Sequence, residues 1–474
     1  MTVSEVKKEE GFLTEEELKC IRSYDIRGVW CKDLTPRLIE AIASVLPEVS
    51  GRGEFVLARD TRRSSPEIIN IVLNTLGKRG CSIRLARALP NPVAYFACWN
   101  EDVPGVYVTA SHNPPEYNGL KLIREDGTSF THELETIRRL LKEGKISDEP
   151  LADTVSITSI SDIIDRYIEN LEIFIEINRK VKVVIETFGG AVNIILNKLC
   201  ERFNINQRVL HPEIRWDFYG LRPEPKGSNL LKLKEMVVQT GADFGVAFDG
   251  DGDRCVIVDN KGRILDGSLA GAILVERLVD EGDKVVLAPD VSSSLESLIE
   301  EYGGKPIYCR VGHNFIEEKV RDEDAVLGIE QSSHFYFGFM YPFSDGIATM
   351  LVFAEIASRY KISELVDGVK LNPVEKMYIP VPSHYVKNKV IEFLKILYDG
   401  RGVDARMWPD GVEVRFSDYR VLFRASQTMP EICFVIEAKN RVIIEREKER
   451  YMRLLNRLIE EYSSTKIVRE NELH

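Results

Sequence analysis

At 474 residues the chain exceeds what one hydrophobic core serves, and its length points to three or four domains. Hydrophobic residues make up 44% and charged residues 29%, which excludes wholesale disorder, while a net charge of −12 argues against nucleic acid, which needs a basic face. The eight cysteines form no CxxC pair, so neither a zinc site nor a disulfide framework is indicated and a reducing, cytoplasmic setting is expected; no stretch is apolar enough for a membrane span.

Apolar periodicity in the first part of the chain predicts a strand over 54–59, a helix over 65–78 and further strands over 82–89 and 103–108. The last strand runs into Thr109-Ala-Ser-His-Asn-Pro-Pro-Glu-Tyr-Asn-Gly119, where Pro114 and Pro115 forbid a helix and leave the Ser111 hydroxyl presented at the mouth of the sheet. A hydroxyl held there is a candidate nucleophile or phosphate carrier. A helix over 131–143 completes this βαβ rhythm, which implies parallel strands with crossover helices.

The rhythm recurs with a strand over 182–186, a helix over 190–203 and a strand over 243–247. Directly after it comes Asp249-Gly-Asp251-Gly-Asp253-Arg254. Three carboxylates this close repel one another unless a cation neutralises them, and the glycines let the backbone curl so that alternate side chains converge. Hard oxygen ligands with few protein donors suit Mg²⁺ shared with a phosphate. An EF-hand is excluded because Arg254 stands at its sixth position, where glycine is required, and Asn260 at its twelfth, where glutamate belongs.

A third round runs through a strand over 264–266, a helix over 268–279, a strand over 284–288, a helix over 292–302 and a strand over 306–310. Closely spaced strands over 411–416, 419–423 and 432–437 then precede a helix over 445–463, whose Tyr451, Leu454, Leu455, Leu458 and Ile459 form a core-facing stripe. The expectation is three similar α/β domains with mixed, mainly parallel sheets at 1–148, 149–248 and 249–369, a smaller α+β domain at 370–474, and a cleft between them.

Taken together, these motifs resemble the α-D-phosphohexomutase family over essentially the whole chain. Tyr24-Asp-Ile-Arg27-Gly28, Arg59-Asp-Thr-Arg-Arg-Ser-Ser65 and the Ser111 loop are similar to the family's first three signatures, and Asp249, Asp251 and Asp253 match its magnesium ligands. Lys121 matches a basic residue beside the reacting groups. The family's sugar loop, Gly-Glu-x-Ser-Gly-His, is here Ile329-Glu330-Gln331-Ser332-Ser333-His334. Losing both glycines is expected to narrow the backbone and add bulk near the sugar. The phosphate loop, Arg-x-Ser-x-Thr-Glu-Pro, is here Arg424-Ala-Ser426-Gln-Thr428-Met429-Pro430, with methionine in place of the acid.

The resemblance implies an isomerase in which phosphorylated Ser111 exchanges a phosphoryl group with a hexose phosphate through a bisphosphorylated sugar. Mg²⁺, one per site, would sit on the three aspartates with Ser111, and Arg27, Lys121 and Arg254 would add fixed positive charge. Lys121 and His334 are the candidates for proton transfer, Glu330 and Ser332 would hold sugar hydroxyls, and Arg424, Ser426 and Thr428 would clamp the other phosphate. Gln331 is reminiscent of the phosphoglucosamine branch, and the Pro-Pro-Glu-Tyr-Asn-Gly segment resembles the mannose and glucose branch, which is preferred. A catalytically impaired sugar-phosphate binder and a phosphatase are the rivals. The protein is expected to be a monomer or homodimer.

Overall fold

The computed structural model describes residues 13–22, 25–145, 150–151, 155–400, 402–426 and 429–471. Among these, four sheets follow one another along the chain. The first has six strands in the order Ile26–Val29, Tyr117–Ile123, Gly105–Val108, Glu54–Arg59, Ser82–Ala88 and Ile157–Ser159. Its inner strands pair in parallel, and Tyr117–Ile123 runs antiparallel to its neighbours. Helix Ser65–Lys78 forms where the spacing predicts it, with Pro66 in its first turn and a buried face of Ile68, Ile69, Val72 and Leu76.

The second sheet has the order Ile264–Leu265, Cys255–Asp259, Phe244–Phe248, Val181–Glu186 and Ile205–Val209. Two expectations change here. Strand Ile264–Leu265 pairs antiparallel with Cys255–Asp259 and so closes the second sheet rather than opening the third. The turn at Gly262, with φ 80°, reverses the chain between them. The helix expected over 190–203 is split into a 3-10 turn, Ala191–Ile194, and helix Leu196–Arg202. The first sheet likewise reaches Ile157–Ser159, past residue 148.

The third sheet orders Lys305–Tyr308, Lys284–Leu287, Leu327–Ile329 and Phe335–Phe337, and the fourth is wholly antiparallel: Val374–Pro380, Glu431–Ala438, Tyr419–Ala425, Gly411–Arg415 and Asp404–Trp408. One topological feature recurs in all four sheets. The segments 109–116, 249–254 and 330–334 each join two adjacent antiparallel strands as a hairpin loop at a sheet end, and the strands on either side of 426–430, Tyr419–Ala425 and Glu431–Ala438, are likewise adjacent and antiparallel. These are the four loops that carry the candidate site.

The first three sheets share one continuous apolar core, to which helix Asn91–Glu101 contributes Val93, Phe96 and Cys98, the second sheet Val183 and Phe248, and the third Val285 and Phe335. The fourth sheet has its own core, where Tyr451, Leu455 and Leu458 of helix Arg441–Asn471 pack on Phe423 and Phe434, as the predicted stripe requires. All eight cysteines are free thiols, and no helix among the described residues is long and apolar enough to cross a membrane.

Candidate active site

The Ser111 loop is held from below by a guanidinium. Arg62, wholly buried, pairs with Asp60 at 3.1 Å and donates to the carbonyls of Ser111 (2.7 Å), Asn113 (2.7 Å), Pro114 (2.6 Å) and Tyr117 (3.1 Å). Ser111 itself takes a left-handed conformation, φ 50°, with its N–H donating to Thr109 Oγ1 at 2.9 Å. Its hydroxyl donates to Asp249 Oδ2 at 2.7 Å and lies 3.2 Å from His112 Nδ1. Serine loop and aspartate loop are thus in direct contact.

The hairpin between Phe248 and Cys255 turns Asp249, Asp251 and Asp253 inward, with one carboxylate oxygen from each lying within 4.8 Å of the others and all three side chains buried. Burial and mutual repulsion push Asp249 well above the ordinary carboxylate range and raise Asp251 too. Against the same burial, Lys121 holds Asp253 well below it. Asp251 Oδ1 and Asp253 Oδ1 are buried and meet no hydrogen-bond donor among the described residues. Orphaned anionic oxygens converging on one point are what a hard cation satisfies, so the donor set fits a metal ion. Thr109 ties the loops together, its Oγ1 lying within hydrogen-bond distance of both Asp60 (2.9 Å) and Asp251 (3.0 Å) with one proton to share between them.

Around this centre stand the expected charges. Arg254 Nε meets Asp249 at 3.0 Å, and Arg27 bonds Asn113 Oδ1 at 2.8 Å and Asp25 at 3.1 Å. Lys121 donates to Asp253; burial opposes its charge, but Asp253 and Asp251 outweigh that and keep the ammonium protonated. His334 behaves oppositely. Burial drives it down to about 4, more strongly than Asp253 raises it, so its imidazole is neutral at pH 7. Its Nδ1 lies 2.9 Å from Ser344 Oγ, which in turn donates to the Asp253 carbonyl.

Glu330 accepts from the Tyr336 hydroxyl at 2.6 Å and from Ser332 at 3.2 Å, and burial raises its carboxyl to about 7. The two missing glycines matter differently from the expectation. Ile329 is fully buried in the shared core against Gly271, so it adds no bulk to the cleft. Ser333 adopts φ 66°, a left-handed conformation that glycine would take without strain. Gln331 spends its amide on Ser268 (2.5 Å) and Asp266 (3.1 Å) at the start of helix Gly267–Leu278.

A cleft of about 620 Å³ gathers these groups, with Arg27, Ser111, Lys121 and Asp253 on one side, Glu330, Ser332 and His334 in the middle, and Arg424 and Ser426 on the fourth sheet. Arg424 is oriented by Asp410 at 3.0 Å. Thr428 and Tyr24 lie outside the described residues. Several cleft residues carry no motif signal: Arg222 from the second domain, Asp290 and His313 from the third, and Lys376 from the fourth. The turn 186–190 proves supportive, since Ala191 N–H donates to Gly250 O at 2.9 Å and a Cβ on Gly190 would stand 2.6 Å from that oxygen.

Family models describe the same regions as phosphoglucomutase/phosphomannomutase alpha/beta/alpha domain I over residues 19–147, domain II over 164–262 and domain III over 266–371. The chain is 31% identical to the phosphomannomutase/phosphoglucomutase of Pseudomonas aeruginosa, over 90% of this chain and 93% of that protein. It is 28% identical to a phosphoglucosamine mutase of Methanococcus vannielii, over 89% and 95% respectively. A crystal structure of a phosphoglucomutase/phosphomannomutase family protein from Burkholderia thailandensis superposes with a TM-score of 0.82 at 26% identity, covering 93% of this chain and 98% of that one.

Proposed function

We infer, for a chain that belongs to the phosphoglucomutase/phosphomannomutase family, that it is a phosphohexomutase interconverting hexose 1-phosphates and 6-phosphates. The observation that carries this reading is the direct contact between Ser111 Oγ and the buried aspartate cluster, inside a cleft that also holds the separate cationic wall of Arg424.

In our reading Ser111 carries the phosphoryl group. The P–Oγ bond breaks with its electron pair staying on Ser111 Oγ as phosphorus bonds a sugar hydroxyl oxygen; the hydroxyl proton passes to neutral His334, and Ser111 Oγ takes up a proton to become a hydroxyl again. The bisphosphorylated sugar turns within the cleft and returns its other phosphoryl group to Ser111. Asp249, Asp251 and Asp253 would hold Mg²⁺, which neutralises charge on the transferred group. Arg27, Lys121 and Arg254 supply fixed positive charge, and protonated Lys121 is suited to donate rather than accept a proton. Glu330 and Ser332 would hold sugar hydroxyls, while Arg424 and Ser426, with Thr428, would clamp the distant phosphate. The separate core of the fourth domain supports its closing over the substrate as a unit.

Mannose and glucose phosphates are the preferred substrates. The glucosamine-like residue, Gln331, is engaged with Ser268 and Asp266, which removes it as a substrate-reading cue. The test is turnover of glucose, mannose and glucosamine 1-phosphates by the wild type and Ser111→Ala. The wild type should isomerise at least one of them with Mg²⁺ present and stop on chelation, and the variant should be inactive. Full activity in Ser111→Ala, or release of inorganic phosphate without isomerised sugar, ends the reading.

A further inference from the structure

The strand Val374–Pro380 presents a cation that no motif marks. In the antiparallel register Tyr378 stands opposite Cys433 and Cys433 opposite Arg424, one row across three strands, and Lys376 lies two residues from Tyr378 on the same face. Lys376, Tyr378, Cys433 and Arg424 all line the cleft. Lys376 Nζ donates to Asp290 Oδ2 at 2.7 Å across the boundary between the third and fourth sheets, and the ring of Tyr378 lies 5.6 Å from the ammonium.

Each cation on this wall has a carboxylate partner that fixes its position. Asp410 orients Arg424, and Asp290 faces both Arg424 and Lys376. Asp290 is buried, and its other oxygen, Oδ1, meets no hydrogen-bond donor among the described residues. An ammonium has three donors, of which Lys376 gives one to Asp290. Lys376 and Arg424 both line the cleft, so an ammonium fixed at one point by a carboxylate, with two further donors to give, stands on the same wall as a guanidinium, and together they form a receptor for a dianion.

We propose that Lys376 is a ligand of the non-reacting phosphate of the substrate, acting beside Arg424, and that Asp290 is the positioning residue that aims its ammonium. The proposal rests on the mutase reading for the identity of the phosphate ester. It adds to the clamp a cation from a strand outside the phosphate loop, where Met429 has replaced the family's acid.

The experiment combines kinetics and binding on the full chain. Steady-state turnover of glucose 1-phosphate and mannose 1-phosphate is measured for the wild type, Lys376→Met, Lys376→Arg and Asp290→Asn, together with calorimetric titration of inorganic phosphate into each. Losing a charge-assisted contact made equally to substrate and transition state should raise KM about 10- to 100-fold with kcat nearly unchanged. Lys376→Arg should recover much of the loss, and Asp290→Asn should show a smaller rise in KM. Phosphate binding should weaken in parallel. An unchanged KM and unchanged phosphate affinity in Lys376→Met, whether or not its thermal stability falls, overturns the proposal and leaves a structural ion pair between domains. If the wild type turns over neither of these sugars nor glucosamine 1-phosphate, the mutase reading fails on its own. Titration then decides this proposal: weaker phosphate binding in a folded Lys376→Met, largely recovered in Lys376→Arg, supports it, and equal binding in Lys376→Met refutes it.

Discussion

Replacing Arg62 with methionine tests whether the serine loop is held in place from beneath. The substitution keeps the length and apolar stem of the side chain but removes five donors that now serve Asp60 and the carbonyls of Ser111, Asn113, Pro114 and Tyr117. Asp60 is not left bare, because Ser65 Oγ (2.5 Å), Thr109 Oγ1 (2.9 Å) and the Arg62 backbone N–H (2.9 Å) still donate to it. The loss therefore falls at the lower end for a broken buried pair, about 3 kcal/mol. The larger effect is on catalysis. Ser111 holds its left-handed conformation only while the surrounding carbonyls are tied down, and a displacement of about 1 Å costs on the order of 100-fold in rate. The assay pairs chemical denaturation of the first unfolding transition with kcat on the preferred hexose 1-phosphate. Arg62→Lys should not restore activity, since an ammonium cannot span four carbonyls arranged for a planar fork. A stable Arg62→Met enzyme with wild-type kcat, or full rescue by lysine, would refute the argument.

Three further substitutions test other joints of the site. Glu317, on helix His313–Glu323, accepts from the Ser129 N–H at 2.8 Å and so joins the third domain to the first; burial raises its carboxyl to about 8 from an ordinary 4.5, so its contribution to stability is fully present below about pH 4.5 and is lost as pH rises through 8. Glu317→Gln should therefore unfold at higher denaturant than the wild type at pH 9, by no more than about 5 kcal/mol, with the gap closing toward pH 4.5; a gap independent of pH contradicts the assignment. Ser333→Gly relieves the left-handed strain and should stabilise the fold by up to about 1 kcal/mol while retaining turnover, and a loss of stability would show that the backbone there is unstrained. Gly190→Ala would drive a Cβ to 2.6 Å from the Gly250 carbonyl. It should weaken calorimetric Mg²⁺ binding at least several-fold without abolishing folding, and unaltered binding would mean that the turn does not brace the metal loop.

The sequence shows some of this with residue accuracy and some of it not at all, for reasons of range. Helix Ser65–Lys78 and the end of the strand at Phe248 are legible because apolar periodicity, Pro66 and the Asp-Gly alternation are local signals. The pairing of Ile264–Leu265 with the second sheet is not, because a two-residue strand carries no period and only the turn at Gly262 betrays the reversal. Ile329 read as bulk in the sugar loop because a motif does not say which way a side chain points; its strand aims it at Gly271. Thr109 and Arg62 stand inside motifs, yet their bracing roles are not legible there, since their partners lie 142 and up to 55 positions away. Lys376 is still harder to see: an isolated lysine in an alternating strand reads as solvent-facing until its partner, Asp290, arrives from another sheet.

The distribution of cores gives these contacts different mechanical meanings. Ser111, the aspartate loop and the Glu330 loop hang from sheets that share one apolar core, so their mutual geometry can change only if that core is disrupted. The fourth sheet has its own core and meets the third largely through polar contacts. Arg420 donates to the carbonyls of Pro289 (2.9 Å) and Val291, Glu437 accepts from Ser292 Oγ at 2.7 Å, and Arg415 pairs with Glu296 at 2.6 Å. Polar joints of this kind can exchange partners with little loss of buried apolar area, whereas a shared core cannot. A reaction in which a bisphosphorylated sugar must turn end over end needs a donor whose position is invariant and a clamp that can release. The same arrangement explains why Asp290 matters more than its absence from any motif suggests. It sits between Ala288 and Val291, both part of the shared core, so Asp290 stays with the donor side, and movement of the fourth domain must release the Lys376 pair together with the contacts of Arg420 and Glu437.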